Sequence, residues 1–206
     1  MEWPLLPKSK TIYTDWHRTF PGSGQGKQYP YLLDKMVQNQ TQYSNPKLRK
    51  SEKAKRWSTI LDYGCGKGGT AEWLKGLIKQ EIEIDLYDPG HELYKDTPLR
   101  ENYDLVYSCD VLEHIEREDL DATIEHTQAL AGHNIHIIDM TPAKKRLPDG
   151  RNAHVTLLDK YQWIELFETH THAIEEVRPY SVPDPNFTTR ERVCIWTRRL
   201  KEYTKR

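Results

Sequence analysis

The sequence predicts an α/β fold: a three-layer sandwich built on a mostly parallel sheet that ends in an antiparallel C-terminal strand pair. Three observations predict it. From residue 57 onward, strand-sized apolar runs alternate with amphipathic segments, the pattern of a parallel sheet flanked by helices. The first run, "STILDY", leads directly into "GCGKGG", a glycine-rich turn between strand and helix that lets backbone approach a ligand closely. The last two runs, "AIEEVRPY" and "RVCIWTRR", are joined by the loop "SVPDPNFTT" with no helix between them, so they pair antiparallel at a sheet edge.

Taken in order, residues 1–30 are rich in Pro, Gly, Trp and Tyr without a clear period, and they read as an irregular arm. One helix follows near "YPYLLDKMVQNQ", which makes residues 1–56 an arm and helix covering a site and residues 57–206 the domain proper. Strands are expected at "STILDY", "IEIDLY", "YDLVYSC", "NIHIIDM", "AIEEVRPY" and "RVCIWTRR". Helices are expected at about 69–79, 117–131 and 158–169. In the second of these, Leu120, Ile124, Thr127 and Leu130 recur at spacings of three and four and put one apolar stripe against the sheet. Only about 15 residues separate Asp88 from "YDLVYSC", so "HELYKDTPLREN" has room for a turn or a reduced strand and little else.

The chain's 206 residues suffice for one full core and not comfortably for two domains. Its longest apolar runs are strand-sized, far below the roughly 20 residues of a membrane-spanning helix. The start "MEWPLLPKSK" interrupts any apolar helix with prolines, so a soluble cytoplasmic protein is expected, with no membrane partner. Cys65, Cys109 and Cys194 are far apart and form no C-x-x-C pair, which suits a reducing compartment and suggests no metal site. Net charge is −1 but uneven: "KLRKSEKAKR" and the tail "RRLKEYTKR" are basic, as solvated faces commonly are or as a nucleic-acid footprint would be.

The glycines fit two spacings, G-x-G-x-x-G at Gly64, Gly66 and Gly69 and G-x-G-x-G at Gly64, Gly66 and Gly68. A phosphate loop is excluded, because Leu61 and Gly68 stand where it needs a glycine and a hydroxyl. Against a dinucleotide stands Asp62, two residues before Gly64, an anion poorly placed beside a pyrophosphate and well placed beside a cationic ligand. Asp88 ends the next strand where a carboxylate can accept hydrogen bonds from ribose hydroxyls, which suits either cofactor.

"ILDYGCGKGG", "LYDPG" and "YDLVYSCDVLEHI", in that order, resemble the class I S-adenosylmethionine-dependent methyltransferases over residues 57–199. The likeness is to small single-domain members of the type found in bacteria and phages. It implies a Rossmann-like sandwich and S-adenosylmethionine as cofactor; the short spacing after Asp88 departs from that pattern and leaves strand three reduced. It further implies that Asp62, Gly64, Cys65 and Gly66 line the methionine end of the cofactor, that Asp88 holds the ribose, and that Pro89 lies by the adenine. Ser108, Cys109 and Asp110 would pass under the sulfonium and face the acceptor. Cys65 is read as merely small enough for the turn, Glu113 and His114 as helix-entry and packing residues, and Asp96 as a weak adenine contact.

The segment "TPAKKRLPDGRNAHVTLLDKYQWIELF" leaves from the carboxyl edge of the sheet, where ligands of such sheets bind, and its long irregular part reads as a functional loop. Removing a proton from a hydroxyl or amine suits a histidine, so His154 is the first candidate base, followed by Asp110, Asp139 and His17. Arg151, Asn152, His154 and His17 are the candidate acceptor contacts, with a turn role equally open for Asn152. Lys144, Lys145, Arg146 and Arg151 suit an anionic small molecule, and Tyr13, Trp16, His17 and Tyr29 could close over it. The leading reading is therefore methyl transfer to oxygen or nitrogen of a small molecule. RNA or another macromolecule is the alternative acceptor, and a catalytically silent cofactor-binding protein is the third reading. DNA amino-methylation is disfavoured because "SCDV" replaces [DN]-P-P-[YFW], and cytosine C5 chemistry because no Pro-Cys pair exists. Oligomeric state is left open.

Overall fold

A computed structural model describes residues 28–44, 56–183 and 189–200. Within them the elements run α1 (Pro30–Ser44), β1 (Thr59–Tyr63), α2 (Gly69–Leu77), β2 (Glu83–Tyr87), β3 (Leu105–Cys109), α3 (Leu120–Leu130), β4 (His133–Asp139), α4 (Lys160–Glu168), β5 (His172–Pro183) and β6 (Thr189–Arg199). Two single 3-10 turns, Leu112–His114 and Arg117–Asp119, lie between β3 and α3. The sheet has the order β2-β1-β3-β4-β6-β5. Its first four strands pair in parallel, and β6 runs antiparallel to both β4 and β5, as the helix-free link between the last two strands requires.

The alternation of each strand builds the two outer layers. On one face, Ile60, Leu105, Tyr107, Ile135, Ile137 and Cys194 pack against Leu32 and Met36 of α1 and Ala71 and Leu74 of α2. On the other, Ile138, Val193 and Ile195 meet Leu120 and Ile124 of α3 and Trp163, Leu166 and Phe167 of α4. The helix near "YPYLLDKMVQNQ" thus forms and shares the core of the sheet, and its Tyr31 and Lys35 both donate to the Glu176 carboxylate of β5. Helix α4 begins at a capping box: Asp159 accepts from the N–H groups of Tyr161 and Gln162, while Gln162 Oε1 accepts from Asp159 N.

Between Asp88 and β3 the described residues form turns and extended chain, with no strand, so β2 is an edge strand. That edge is blunted by charge: Arg100 pairs with Glu83 and Asp85 of β2, and the Tyr103 hydroxyl also donates to Asp85. At the amino end of the sheet, Asp104 Oδ2 accepts from the N–H and hydroxyl groups of both Ser58 and Thr59 at 2.9–3.1 Å, fixing the start of β1 against β3. No helix among the described residues is long and apolar enough to cross a membrane.

Candidate active site

Strand order reverses between β1 and β3, which opens a crevice beyond their carboxyl ends, and both connecting loops enter it. Gly64, immediately after β1, has φ +76°, and a Cβ there would lie 2.5 Å from Cγ2 of Val111 in the loop after β3. The two loops therefore touch at a point where only glycine fits. Gly68, also left-handed at φ +78°, is the N-cap of α2, so Gly69 is the first residue of that helix and no part of a three-glycine fingerprint.

The N–H groups of Gly64 and Cys65 both donate to Tyr87 O, at 2.8 and 3.1 Å, and that of Gly66 to Asp88 Oδ2 at 2.8 Å. The start of the loop is thus strapped to the end of β2, and the positive end of α2 is left as its anion-facing element. Asp88 Oδ1 accepts from Gly90 N at 2.8 Å, so each carboxylate oxygen holds one backbone donor and retains acceptor capacity. Pro89 beside it is half-buried, and Asp96 is exposed in the turn that follows.

Asp62 is 2% exposed, and its Oδ2 has no hydrogen-bond partner; the hydroxyl of Tyr107, paired with it across β1 and β3, has none either. Burial pushes the Asp62 carboxyl up to about 7, with the nearby Tyr107 hydroxyl opposing the shift and Asp88 adding to it. An enclosed, unsatisfied acceptor of this kind is costly unless something cationic meets it. The thiols of Cys65 and Cys109 are pushed well above their ordinary value by burial, so neither is a thiolate nucleophile.

After β3 the chain turns sharply at Asp110, the one non-glycine residue with positive φ (53°) among those described. Its Oδ2 accepts from Arg192 Nη2 at 2.8 Å, and Arg192 also lies 3.5 Å from Asp139 Oδ2, which takes Arg190 Nε at 2.6 Å. Burial works against the Arg192 charge, but the Asp110 carboxylate foremost, with Asp139, holds it cationic. The Tyr29 ring sits beneath that guanidinium at 5.6 Å. Ser108 points to the opposite face, where its hydroxyl meets His136 Nδ1 at 2.8 Å, so only its backbone can border the crevice.

The loop after β4 folds back over the turn Leu112–His114. Thr156 N donates to Glu113 O and Thr156 Oγ1 to Ile115 O. His154 Nδ1 lies 2.6 Å from Thr141 O, and the His114 and His154 rings meet edge-on with centroids 4.7 Å apart. A carbonyl accepts only, so Nδ1 of His154 carries the proton and Nε2 the lone pair. Burial holds the His154 pKa below the usual imidazole value, which keeps it neutral near pH 7. Asn152 performs the turn role: Oδ1 accepts from Ala143 N and His154 N, and Nδ2 donates to Ala143 O. Arg151 is exposed and paired with Asp149 and Glu116. His17, Tyr13 and Trp16 lie outside the described residues, as does all of the basic run 47–56 but Arg56.

Two residues at the centre of this arrangement were not singled out in the sequence. Arg192 was signalled by Arg190 and Arg192 at alternate positions of β6, charges on a face that continues as Cys194 and Trp196. Tyr107 had no signal beyond its place opposite Asp62.

Residues 36–178 match a family model described as a methyltransferase domain. The chain belongs to the methyltransferase-domain family. It is an S-adenosylmethionine-dependent methyltransferase of the class I fold. Solved structures with that fold include 1,6-didemethyltoxoflavin-N1-methyltransferase from Burkholderia thailandensis with bound 1,6-didemethyltoxoflavin and S-adenosylhomocysteine, at 12% identity over 97% of this chain and 93% of that one, TM-score 0.59. Magnesium protoporphyrin IX methyltransferase from Synechocystis PCC 6803, with bound S-adenosylhomocysteine, is 19% identical over 93% of this chain and all of its own, TM-score 0.52. TehB from Haemophilus influenzae is 16% identical over 69% of this chain, TM-score 0.50, and the chain spans only 57% of it. These identities establish a common fold and nothing finer. No curated protein matches the methyltransferase chain.

Proposed function

We propose that this methyltransferase carries a methyl group to an oxygen or nitrogen of a small molecule bound over Asp110, Glu113 and His154. The observation that carries this reading is the unsatisfied Asp62 acceptor at the strand-order reversal, beside Gly64 and Asp88. Bound there, the cofactor would supply an electrophilic methyl group on a sulfonium. Asp62 would face its cationic methionine end, and Gly64, Cys65 and Gly66 would border it through backbone and small size. The α2 N-terminus would take its carboxylate, Asp88 the ribose hydroxyls and Pro89 the adenine. The backbone of Ser108, Cys109 and Asp110 would run under the sulfonium.

On the acceptor side, the neutral His154 presents Nε2 to a hydroxyl or amine, and we assign it the proton removed as the new bond forms. Asp110 and Arg192 fix the floor on which the acceptor rests. An anionic acceptor would draw on the exposed Lys144 and Lys145 of this loop. Cover from the N-terminal side is supported by Tyr29, which reaches Arg192 from the start of α1. A cytoplasmic setting suits the three free cysteines.

A thermal-shift panel tests cofactor choice: S-adenosylmethionine and its demethylated product should stabilise the protein, and no response to either would sink the reading. His154→Ala should lower turnover about 10²- to 10⁴-fold while leaving cofactor affinity unchanged. Incubation with labelled cofactor and fractionated extract identifies the acceptor, and label in RNA or protein instead of small molecules would overturn the small-molecule assignment.

A further inference from the structure

Glu113, His114 and His154 each offer one ligand atom, and the three atoms lie within 4.8 Å of one another. We propose that these side chains bind a divalent first-row transition ion, with at least one coordination position left open toward the crevice. No local pattern announces this site, because the cysteine spacing suggests no metal and "LEHI" reads as helix entry.

Three features of the geometry support the site. First, the imidazoles are oriented as metal ligands are: His114 Nδ1 lies 2.7 Å from Ala153 O and His154 Nδ1 2.6 Å from Thr141 O. Each ring donates its Nδ1–H to a backbone carbonyl, which fixes the tautomer and puts the ligating lone pair on Nε2. Second, Glu113 is fully buried; Oε1 accepts from Asp139 N at 3.1 Å, and Oε2 is enclosed without any partner. A buried carboxylate oxygen left in that state is expensive, and a cation between it and two imidazoles removes the cost. Third, the two rings stand at 88° to each other, so their lone pairs approach a common point from different directions.

Two imidazoles and one carboxylate suit zinc, iron(II), cobalt(II) or manganese(II) better than the oxygen-seeking magnesium or calcium. Bonds of about 2.0–2.2 Å put tetrahedral ligands about 3.3 Å apart, so the three atoms need to close only modestly around the ion. The supports are already braced, one on the turn after β3 and the other on the loop clipped to it through Thr156.

The consequence for chemistry rests on the methyl-transfer reading. An acceptor oxygen in the open position would lose its proton more readily on the ion. With an ion bound, the His154 lone pair would be in use; the ion would lower the acceptor's pKa so that its proton passes to solvent water, and the oxygen would take the methyl group as the demethylated thioether leaves. The acceptor is then an oxygen nucleophile, such as a hydroxyl or enol.

The site is tested on the untagged, metal-stripped full chain by titration with cobalt(II), read as visible d–d absorption, with zinc as competitor and no cofactor present. One ion per chain is expected, weakened about tenfold or more in Glu113→Gln, His114→Ala and His154→Ala and unchanged in His170→Ala. If the buried Glu113 variant does not fold, the half-buried His114 carries the test. Absence of a cobalt band, or a band that all three variants leave unaltered, overturns the proposal. Because the titration contains no cofactor, it stands or falls independently of the thermal-shift result on S-adenosylmethionine.

Discussion

The two ends of the β1–β3 seam each carry a buried aspartate. At the amino end, Asp104 takes four hydrogen bonds on one oxygen from Ser58 and Thr59. At the carboxyl end, Asp62 is more deeply buried, and its Oδ2 receives none. The same residue type, on the same strands, is a fastener at one edge and an unmet demand at the other. The carboxyl end gathers further polar groups, among them Asp110, Glu113, Asp139, His154, Arg190 and Arg192. At the carboxyl end Asp62 Oδ2 and Glu113 Oε2 are buried acceptors that a ligand can complete.

The strongest way to sharpen that contrast is to remove the cation that balances the carboxyl end. Arg192→Met leaves Asp110 and Asp139 facing each other with one fewer counter-charge, and should destabilise the protein by about 3–5 kcal/mol in denaturant unfolding. A variant within 1 kcal/mol of the parent would mean that Arg190 alone suffices.

Next in size is the contact that shapes the crevice. Gly64→Ala combines a left-handed backbone with an overlap on Val111 and should cost about 2–4 kcal/mol, together with cofactor affinity measured by calorimetry. Adding Val111→Ala should recover the overlap and not the backbone strain, so a partial rescue is the expected outcome.

Asp62→Asn breaks the comparison directly through pH. The Asp62 pKa is raised on folding, so its contribution to stability is fully present below the unfolded value near 4 and is lost as pH rises through about 7. The asparagine variant should therefore match the parent near pH 4 and exceed it by about 2–4 kcal/mol at pH 8, while binding cofactor more weakly. A gap that does not grow with pH would show that the carboxyl already ionises freely without its ligand. The smallest effect is expected from Arg151→Ala, whose exposed pairs with Asp149 and Glu116 are worth under about 1 kcal/mol together. A large loss of turnover there would establish Arg151 as an acceptor contact.

Much of this was legible beforehand. Each expected strand and helix forms close to its expected bounds, because period-two and period-three-to-four apolar patterns report local burial directly. The segment between Asp88 and Leu105 was expected to form a turn or a reduced strand; it forms turns and extended chain only, because so few residues leave no room for a further strand and its crossover, and β2 is left at the edge. The roles of Asn152 and Arg151 were less legible. "DGRNAH" gives residue types, and only the folded loop decides that Asn152 clips Ala143 to His154 while Arg151 turns toward Glu116.

The sequence by itself determined the layers, the parallel and antiparallel pairing and the glycine turn, which follow from patterns within about fifteen neighbouring residues, and three motifs in order between residues 60 and 115 carried the resemblance to the methyltransferases. Only the tertiary structure decided that Asp62 Oδ2 is enclosed without a partner, that Arg192 from the last strand meets Asp110 across 82 residues, and that His154 reaches Glu113 and His114. Those contacts depend on which strands lie side by side and which face each side chain takes, and no local pattern encodes the distance between residues that meet only when the sheet is assembled.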